Sequence, residues 1–440
     1  MDLKAVVFDL DGTLIGAPKP FAQIKDELAE KLRKMGIPED KIGNLTPMYE
    51  SLLRISRETG IPFGELHSIQ VALEVERIEE SYPFEGAREL LEFLKEGGFK
   101  IGLMTRSSRE AAVKALRMHD LLHYFDAVSA REDVPPGELK PHPAQLRRLL
   151  ETLGVEPPKT LVVGDHGYDI LPAMELGAPS VLITGHSEGR MTFDIPSEPT
   201  FKVANLTALR EMVERLLSTY VIVPAYNEEM TVGDVIERLL RYFRREELVV
   251  VDDGSRDRTG EIARSKGVRV LTHLVNRGLG GALGTGIAYA LRRDARLIVT
   301  FDADGQHLVA DALRVMAPVA EGRADFSVGS RLKGDTSQMP LVKRFGNFVL
   351  DGITALFAGR FVSDSQSGLR CFNRECASRI RITCDRYAVS SEFIIEASKA
   401  GCRIVEVPIK AVYTDYSIKK GTNVFEGVKI ALNLLFDKLR

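Results

Sequence analysis

The chain has 440 residues, 44% of them hydrophobic and 28% charged, with a formal net charge of -3. That length accommodates two or three domains, each with its own core. The near-neutral balance excludes a whole-chain electrostatic case for a nucleic-acid partner, so anionic ligands must be met by local basic residues or metal ions.

The chain begins a strand almost at once, at Lys4 to Phe8, without a signal-peptide layout. No apolar run reaches the length of a membrane span, and the chain is expected to be cytoplasmic. Apolar runs at Ala5 to Phe8, Ile101 to Met104, Leu161 to Val163 and Val181 to Ile183 alternate with amphipathic stretches. That alternation predicts an α/β fold of βαβ units around a parallel sheet. Between Gly16 and Pro83 the strand signal disappears, while Ile24 to Met35 and Pro47 to Arg57 have helical spacing. A helical insertion after the first strand is expected.

Asp9 falls at the carboxyl end of the first strand, where open α/β sheets place ligands. A carboxylate there suits attack on a phosphoryl group, with Asp11 as acid and then base, and Gly12 permitting a tight turn. Thr105 ends the second core strand, offering a hydroxyl and backbone amides to phosphate oxygens, and Lys140 supplies a point charge. Asp165 and Asp169 flank a turn after the next strand. With Asp9, and Asp11 beside it, they make an oxygen-rich site for Mg²⁺.

Asp9-Leu10-Asp11-Gly12-Thr13, Thr105, Lys140 and the Asp165/Asp169 pair together resemble the haloacid-dehalogenase superfamily of phosphohydrolases, over residues 1–217. The insertion, residues 16–83, is similar to the cap of its phosphoglycolate phosphatase branch. The resemblance implies a Rossmann-like domain that hydrolyses a small phosphate ester. Cap residues choose the substrate, and no motif in the insertion spells one out.

Asn205 is the expected N-cap of an amphipathic helix from Leu206 to Leu217, with no Gly/Ser or Pro-rich tether, so a fairly fixed relation between the domains is expected. A second alternating series follows, with strands at Tyr220 to Pro224, Leu248 to Asp252, Val268 to Thr272, Leu297 to Phe301 and Phe326 to Gly329. Strand ends of this kind hold nucleotides, a carboxylate meeting base or ribose and an aromatic or apolar wall receiving the ring. The candidates are Pro224, Tyr226, Glu228, Asp253 and Asn276, the last opening a glycine-rich helix start. Asp302 and Asp304, two apart after a core strand, face one divalent ion, with Ala303 between them and Gln306 as a neutral oxygen donor.

These residues resemble the family-two glycosyltransferases of the GT-A fold, over residues 218–415. Asp302-Ala303-Asp304-Gly305-Gln306-His307, Gly329-Ser330-Arg331 and Asp364-Ser365-Gln366-Ser367-Gly368-Leu369-Arg370 look like its dolichyl-phosphate mannose and glucose synthase branch. The resemblance implies a GDP- or UDP-hexose donor, Mg²⁺ or Mn²⁺ at the acidic pair, a polyprenyl phosphate acceptor and inversion at the sugar carbon. Arg331 and Arg370, then Lys343 and Arg344, are the candidates for contacting the acceptor phosphate.

Residues 416–440 carry Phe425, Val428, Leu432, Leu435 and Leu439 at helical spacing beside several lysines. A helix there is expected to lie on an anionic membrane surface, packing on its own domain or a dimer partner being the alternative. Cys371, Cys376, Cys384 and Cys402 form no CxxC pair and read as buried free thiols. Two further readings stand beside the bifunctional one: transfer to a soluble phosphorylated metabolite that the phosphatase then dephosphorylates, or a first domain that only senses a phosphometabolite.

Overall fold

The computed structural model describes residues 1–186, 198–334, 341–382 and 389–410, with side chains after position 340 described from Gly346 onward. The C-terminal helix expected at 416–440, Cys384 and the side chains of Lys343 and Arg344 lie outside the described residues. Two compact units divide the chain: Leu3–Arg210, and Met1–Asp2 with Glu211–Arg440.

In the first unit, β1 (Ala5–Phe8) is followed by a two-stranded antiparallel stalk, β2 (Ile15–Gly16) with β3 (Tyr82–Pro83). Between the stalk strands lies the expected insertion: α1 (Phe21–Lys34), α2 (Glu39–Ile42), α3 (Met48–Thr59) and α4 (Phe63–Ile78). Ile24, Leu28 and Leu32 recur every four residues along α1 and pack with Leu52, Ile55, Leu66 and Leu73, giving the insertion its own core. Each such side chain contributes roughly 1.5–3 kcal/mol on leaving water.

The rest of the unit alternates as the pattern predicts. After α5 (Ala87–Glu96) come β4 (Lys100–Met104), α6 (Arg109–Met118), β5 (Ala127–Ser129), α7 (Pro143–Leu153), β6 (Thr160–Gly164), α8 (Gly167–Leu176), β7 (Ser180–Ile183) and β8 (Phe201–Val203). The sheet runs β5-β4-β1-β6-β7-β8 and every pairing in it is parallel. Strand β1 is central and wholly buried, as its unbroken apolar run requires. Asp9, Thr105 and Asp165 thus emerge side by side, just past the carboxyl ends of β1, β4 and β6.

Helix α9 (Leu206–Leu216) follows, with Asn205 Oδ1 accepting from the Ala208 N–H at 2.9 Å as its cap, and the division between units falls within it. The second unit contains β9 (Thr219–Ala225), α10 (Val232–Leu239), β10 (Leu248–Asp252), α11 (Thr259–Ser265), β11 (Arg269–Thr272), α12 (Gly278–Arg292), β12 (Leu297–Thr300), α13 (Val309–Ala320) and β13 (Phe326–Ser330). Then come α14 (Leu341–Ala358), β14 (Arg370–Asn373), α15 (Arg374–Arg379), α16 (Val389–Lys399) and β15 (Ile404–Pro408).

The second sheet runs β11-β10-β9-β12-β14-β13-β15. Strand β14, which periodicity did not reveal, departs from a parallel series: it is antiparallel to both β12 and β13. It carries Phe372 between Phe326, stacked at 4.5 Å, and Phe393 at 5.2 Å. Cys371, Cys376 and Cys402 are buried free thiols. Among the described residues, no helix is long and apolar enough to cross a membrane.

Candidate active sites

In the first unit the acid cluster is built at strand ends. One oxygen from each of Asp9, Asp165 and Asp169 lies within 4.8 Å of the others, and all three side chains are buried. Lys140 donates to Asp9 Oδ1 at 2.5 Å and to Asp169 Oδ1 at 2.6 Å. Three carboxylates against one ammonium leave an excess of buried negative charge, and hard oxygen donors so gathered fit a Mg²⁺-type ion. Burial pushes the Asp9 carboxyl up to about 7, against the pull of Lys140 and with the push of Asp169. Gly12, at φ 84°, turns the chain where a Cβ would collide with the Asp165 carboxylate.

Asp11 stands apart from that cluster. Its Oδ1 accepts from Arg77 Nη1 at 2.5 Å and its Oδ2 from Ser107 Oγ at 2.7 Å. The four acids expected around the ion therefore reduce to three, because the Asp11 carboxylate is engaged by the insertion and by the loop after β4. Thr105 is also differently used: its N–H donates to the Ser129 carbonyl, and its hydroxyl accepts from the Ser107 N–H at 3.0 Å. Neither Arg77 nor Ser107 belongs to a recognisable motif. The available signal for Arg77 was its place on one face of α4, seven positions after Gln70 and three after Glu74, all three buried.

Glu74 completes the junction between insertion and core. It accepts from Arg131 at 2.6 and 3.1 Å and from the Ser108 N–H at 2.9 Å. Beside Lys140, a crevice of about 740 Å³ is lined by Pro47 and Glu50 of the insertion and by Arg106, Pro141, His142 and Tyr168 of the core.

In the second unit, the loops after β9 and β10 are stitched together. Asn227, at φ 53°, donates its N–H to Ser255 Oγ and accepts from the Arg256 N–H, while Glu228 donates its N–H to Thr259 Oγ1. Pro224 is in β9, Tyr226 is partly exposed beyond it, and Glu228 lies close enough to Asp304 to raise its pKa. Asp253, expected to meet the nucleotide, is already engaged: it accepts from the Arg277 and Gly278 N–H groups at 2.9 and 2.7 Å and bonds His273 Nδ1 at 2.6 Å. Asn276 Oδ1 accepts from the same Gly278 N–H at 3.1 Å. Both residues thus shape the glycine-rich loop that opens α12.

Asp302 and Asp304 follow β12. Asp302 bonds His307 Nε2 at 3.1 Å, and its carboxyl stays below its usual range because His307, Arg370 and Arg331 outweigh burial. Asp304 moves the other way, pushed up to about 6 by burial and by Asp302. Two acids that disfavour each other's ionisation fit a divalent cation, although among the described residues they belong to no three-ligand cluster. Ala303 is buried between them, and the Gln306 N–H donates to Asp304 Oδ1 at 3.0 Å. A Cβ on Gly368 would collide with the Asp302 carboxylate.

The two arginines expected to act alike differ. Arg331 forks onto Asp364 with Nε and Nη2 each at 2.7 Å, a pairing that engages its charge. Arg370 is fully buried, donates from Nη2 to the Ser365 carbonyl at 3.3 Å, and has no partner among the described residues at Nε or Nη1. Burial pulls it down to about 10, with Asp302 and Asp364 opposing. His307 and Asp364, quoted in motifs but given no role there, are the residues that orient these charges.

Residues 3–177 match the model of the haloacid dehalogenase-like hydrolases, and residues 220–375 that of glycosyl transferase family 2. The chain is 51% identical over 224 residues to an uncharacterized protein of Methanocaldococcus jannaschii, across 50% of this chain and 92% of that one. It is 38% identical over 249 residues to the UDP-N-acetylglucosamine–dolichyl-phosphate N-acetylglucosaminyltransferase of Methanococcus voltae, across 52% and 98%. It is 30% identical over 189 residues to the pyrophosphatase PpaX of Halalkalibacterium halodurans, across 42% and 84%. The protein is an enzyme of two catalytic classes, a hydrolase and a transferase. It belongs to the haloacid dehalogenase-like hydrolases through its first unit and to the family 2 glycosyltransferases through its second.

Proposed function

We propose that the second unit transfers a hexose from a GDP- or UDP-sugar to a polyprenyl phosphate with inversion, and that the first hydrolyses a small phosphate monoester. The observation that carries the transferase reading is Arg370, a buried guanidinium near Asp302 with two nitrogens that have no partner among the described residues. An anionic acceptor is the ligand such donors favour. The similarity to a dolichyl-phosphate transferase supports the same acceptor class.

The acceptor phosphate is already a nucleophile, so the reaction needs no strong base. Its oxygen attacks the sugar carbon from the face opposite the leaving nucleoside diphosphate. Mg²⁺ or Mn²⁺ held by Asp302 and Asp304 would offset charge on the diphosphate. A lipid acceptor sets the work at a cytoplasmic membrane face, without requiring the chain to cross it.

In the first unit, Asp9 attacks phosphorus and the ester P–O bond breaks, leaving an aspartyl-phosphate. Asp11 gives a proton to the leaving oxygen, then takes one from the water that releases phosphate. Lys140 fixes Asp9 and offsets charge; Mg²⁺ held by Asp9, Asp165 and Asp169 would let a carboxylate approach a phosphate dianion.

The experiment is a product assay by mass spectrometry on full-length protein, with Mg²⁺ or Mn²⁺, a panel of nucleotide sugars and a short polyprenyl phosphate. A lipid-phosphate hexose that is lost in Asp304→Ala supports the transferase reading. Nucleotide release driven only by soluble phosphorylated metabolites sinks the lipid acceptor. For the first unit, hydrolysis of an aryl phosphate must disappear in Asp9→Asn.

A further inference from the structure

Away from both acid clusters, two thiols meet at one joint of the second sheet. Cys376 lies in α15, directly after β14, and Cys402 lies between α16 and β15. Strand β13 stands between β14 and β15, and its first residue, Phe326, pairs with Phe372 on one side and Ile404 on the other. The chain therefore leaves β14 and enters β15 on either side of the place where β13 begins.

Hydrogen bonds fix both backbones at that place. The Cys376 N–H donates to Asn373 Oδ1 at 2.8 Å, and Asn373 Nδ2 donates to Asp325 Oδ1 at 2.9 Å. Asp325 Oδ2 accepts at 2.8 Å from the N–H of Arg403, the residue after Cys402, and the Cys402 N–H donates to the Ala397 carbonyl at 3.0 Å. Both cysteines belong to one apolar cluster, Cys376 being 1% exposed and Cys402 8%. Burial pushes the Cys376 thiol up, and Cys402 is close enough to push it further by hydrogen bonding and by charge. Cys371, within β14, is pushed up by burial alone.

We propose that Cys376 and Cys402 form a reversible disulfide, a staple at the edge of the second sheet, with a small peroxide as oxidant. Peroxide meets Cys402 first, the more exposed of the two. The Cys402 thiolate attacks one peroxide oxygen, the O–O bond breaks, and a sulfenic acid forms as water leaves. The Cys376 sulfur then attacks the sulfenic sulfur: an S–S bond forms, the S–O bond breaks, and a second water leaves. Two thiols and one hydrogen peroxide give one disulfide and two waters, the sulfurs losing two electrons to the peroxide oxygens. An added dithiol reverses the bond by exchange. The bond closes residues 376–402 into a loop, restricts the unfolded chain, and fastens the entry of β15 to the end of β14. It depends on neither active-site reading.

The test exposes folded full-length protein to hydrogen peroxide, blocks the remaining thiols with an alkylating agent, and maps peptides without reduction. The expected product joins Cys376 to Cys402, two hydrogens lighter than the separate peptides and released by dithiothreitol, with Cys371 alkylated. By calorimetry, the Tm of the oxidised protein should exceed that of the reduced protein by roughly 5–10 °C, the effect of closing a loop of this length in a unit of this size. Cys402→Ala should lose that rise.

A Cys402 carried on to sulfinic acid while Cys376 stays free overturns the proposal, as does a bond to any other cysteine. So does a bond that forms only in denaturant, or one that leaves Tm where it was. Should Cys402→Ala fail to fold, the wild-type peptide map and Tm still decide.

Discussion

Asp351 shows how a single buried acid can set a pH limit on the second unit. It lies wholly buried on α14, where Oδ1 accepts from both the N–H and the Oγ of Ser365 at 2.8 Å and Oδ2 has no partner among the described residues. Burial pushes its pKa up to about 7, against the Ser365 hydrogen bonds. A raised folded-state pKa means the acid stabilises most while protonated, and that contribution is lost as pH rises from the ordinary carboxylate range through about 7. Calorimetry should therefore find that Asp351→Asn reduces the fall in Tm between about pH 5 and about pH 8.

At this scale the legible residues were those whose chemistry repeats at strand ends. Asp9 and Asp165 were readable because a strand delivers each to the same edge of the sheet, and Asp169 because the first turn of α8 follows directly on β6. Arg77 was not, since it reaches Asp11 across 66 positions, and one arginine in a helical insertion looks like any solvated one. For Asp253, position after a strand points to a nucleotide, while the structure adds its bonds to Arg277, Gly278 and His273. A sequence does not say that neighbouring backbone N–H groups already bond its oxygens.

Among the elements, the edge of the second sheet depends on one carboxylate. Asp325, just before β13, accepts from Arg403 Nε and Nη2, from the Arg403 N–H and from Asn373 Nδ2, all between 2.8 and 3.0 Å. It thereby ties the beginnings of β13 and β15 to the end of β14. Hydrogen bonding from Arg403 leads in holding its pKa at about 2, so the stabilisation is present above the ordinary carboxylate range and is lost as pH falls through about 2. Since Arg403 is exposed, Asp325→Ala should cost only ~1–2 kcal/mol, read as a lower denaturation midpoint at neutral pH.

Strand β14 was hidden for a related reason. Its four residues begin with Arg370 and end with Asn373, so the polar ends mask an apolar pair too short for any period to register. The helical insertion was easier, because α1 repeats its apolar residues every four positions and the stalk strands bracket it.

For the molecule as a whole, the two acid clusters belong to separate compact units with separate cores. Asp9→Asn should abolish phosphate release while leaving sugar transfer within about twofold, and Asp304→Ala should do the reverse, because sites without shared partners behave independently. Paired assays on one preparation check this. A tenfold effect of either substitution on the other reaction would mean that the sites are thermodynamically linked.

Gly12 and Gly368 have a consequence for reading other chains of this kind. Each occupies a place where a side chain would collide with a carboxylate of a candidate site, Asp165 in the first unit and Asp302 in the second, as a Cβ on Gly164 would with Asp169. A single added carbon is expected to push that carboxylate aside and retire one chemistry while the rest of its motif remains intact. A relative with alanine at the first position should be a pure sugar transferase, and one with alanine at the second a pure hydrolase. The two glycines serve as markers of which trade a fused homologue still practises.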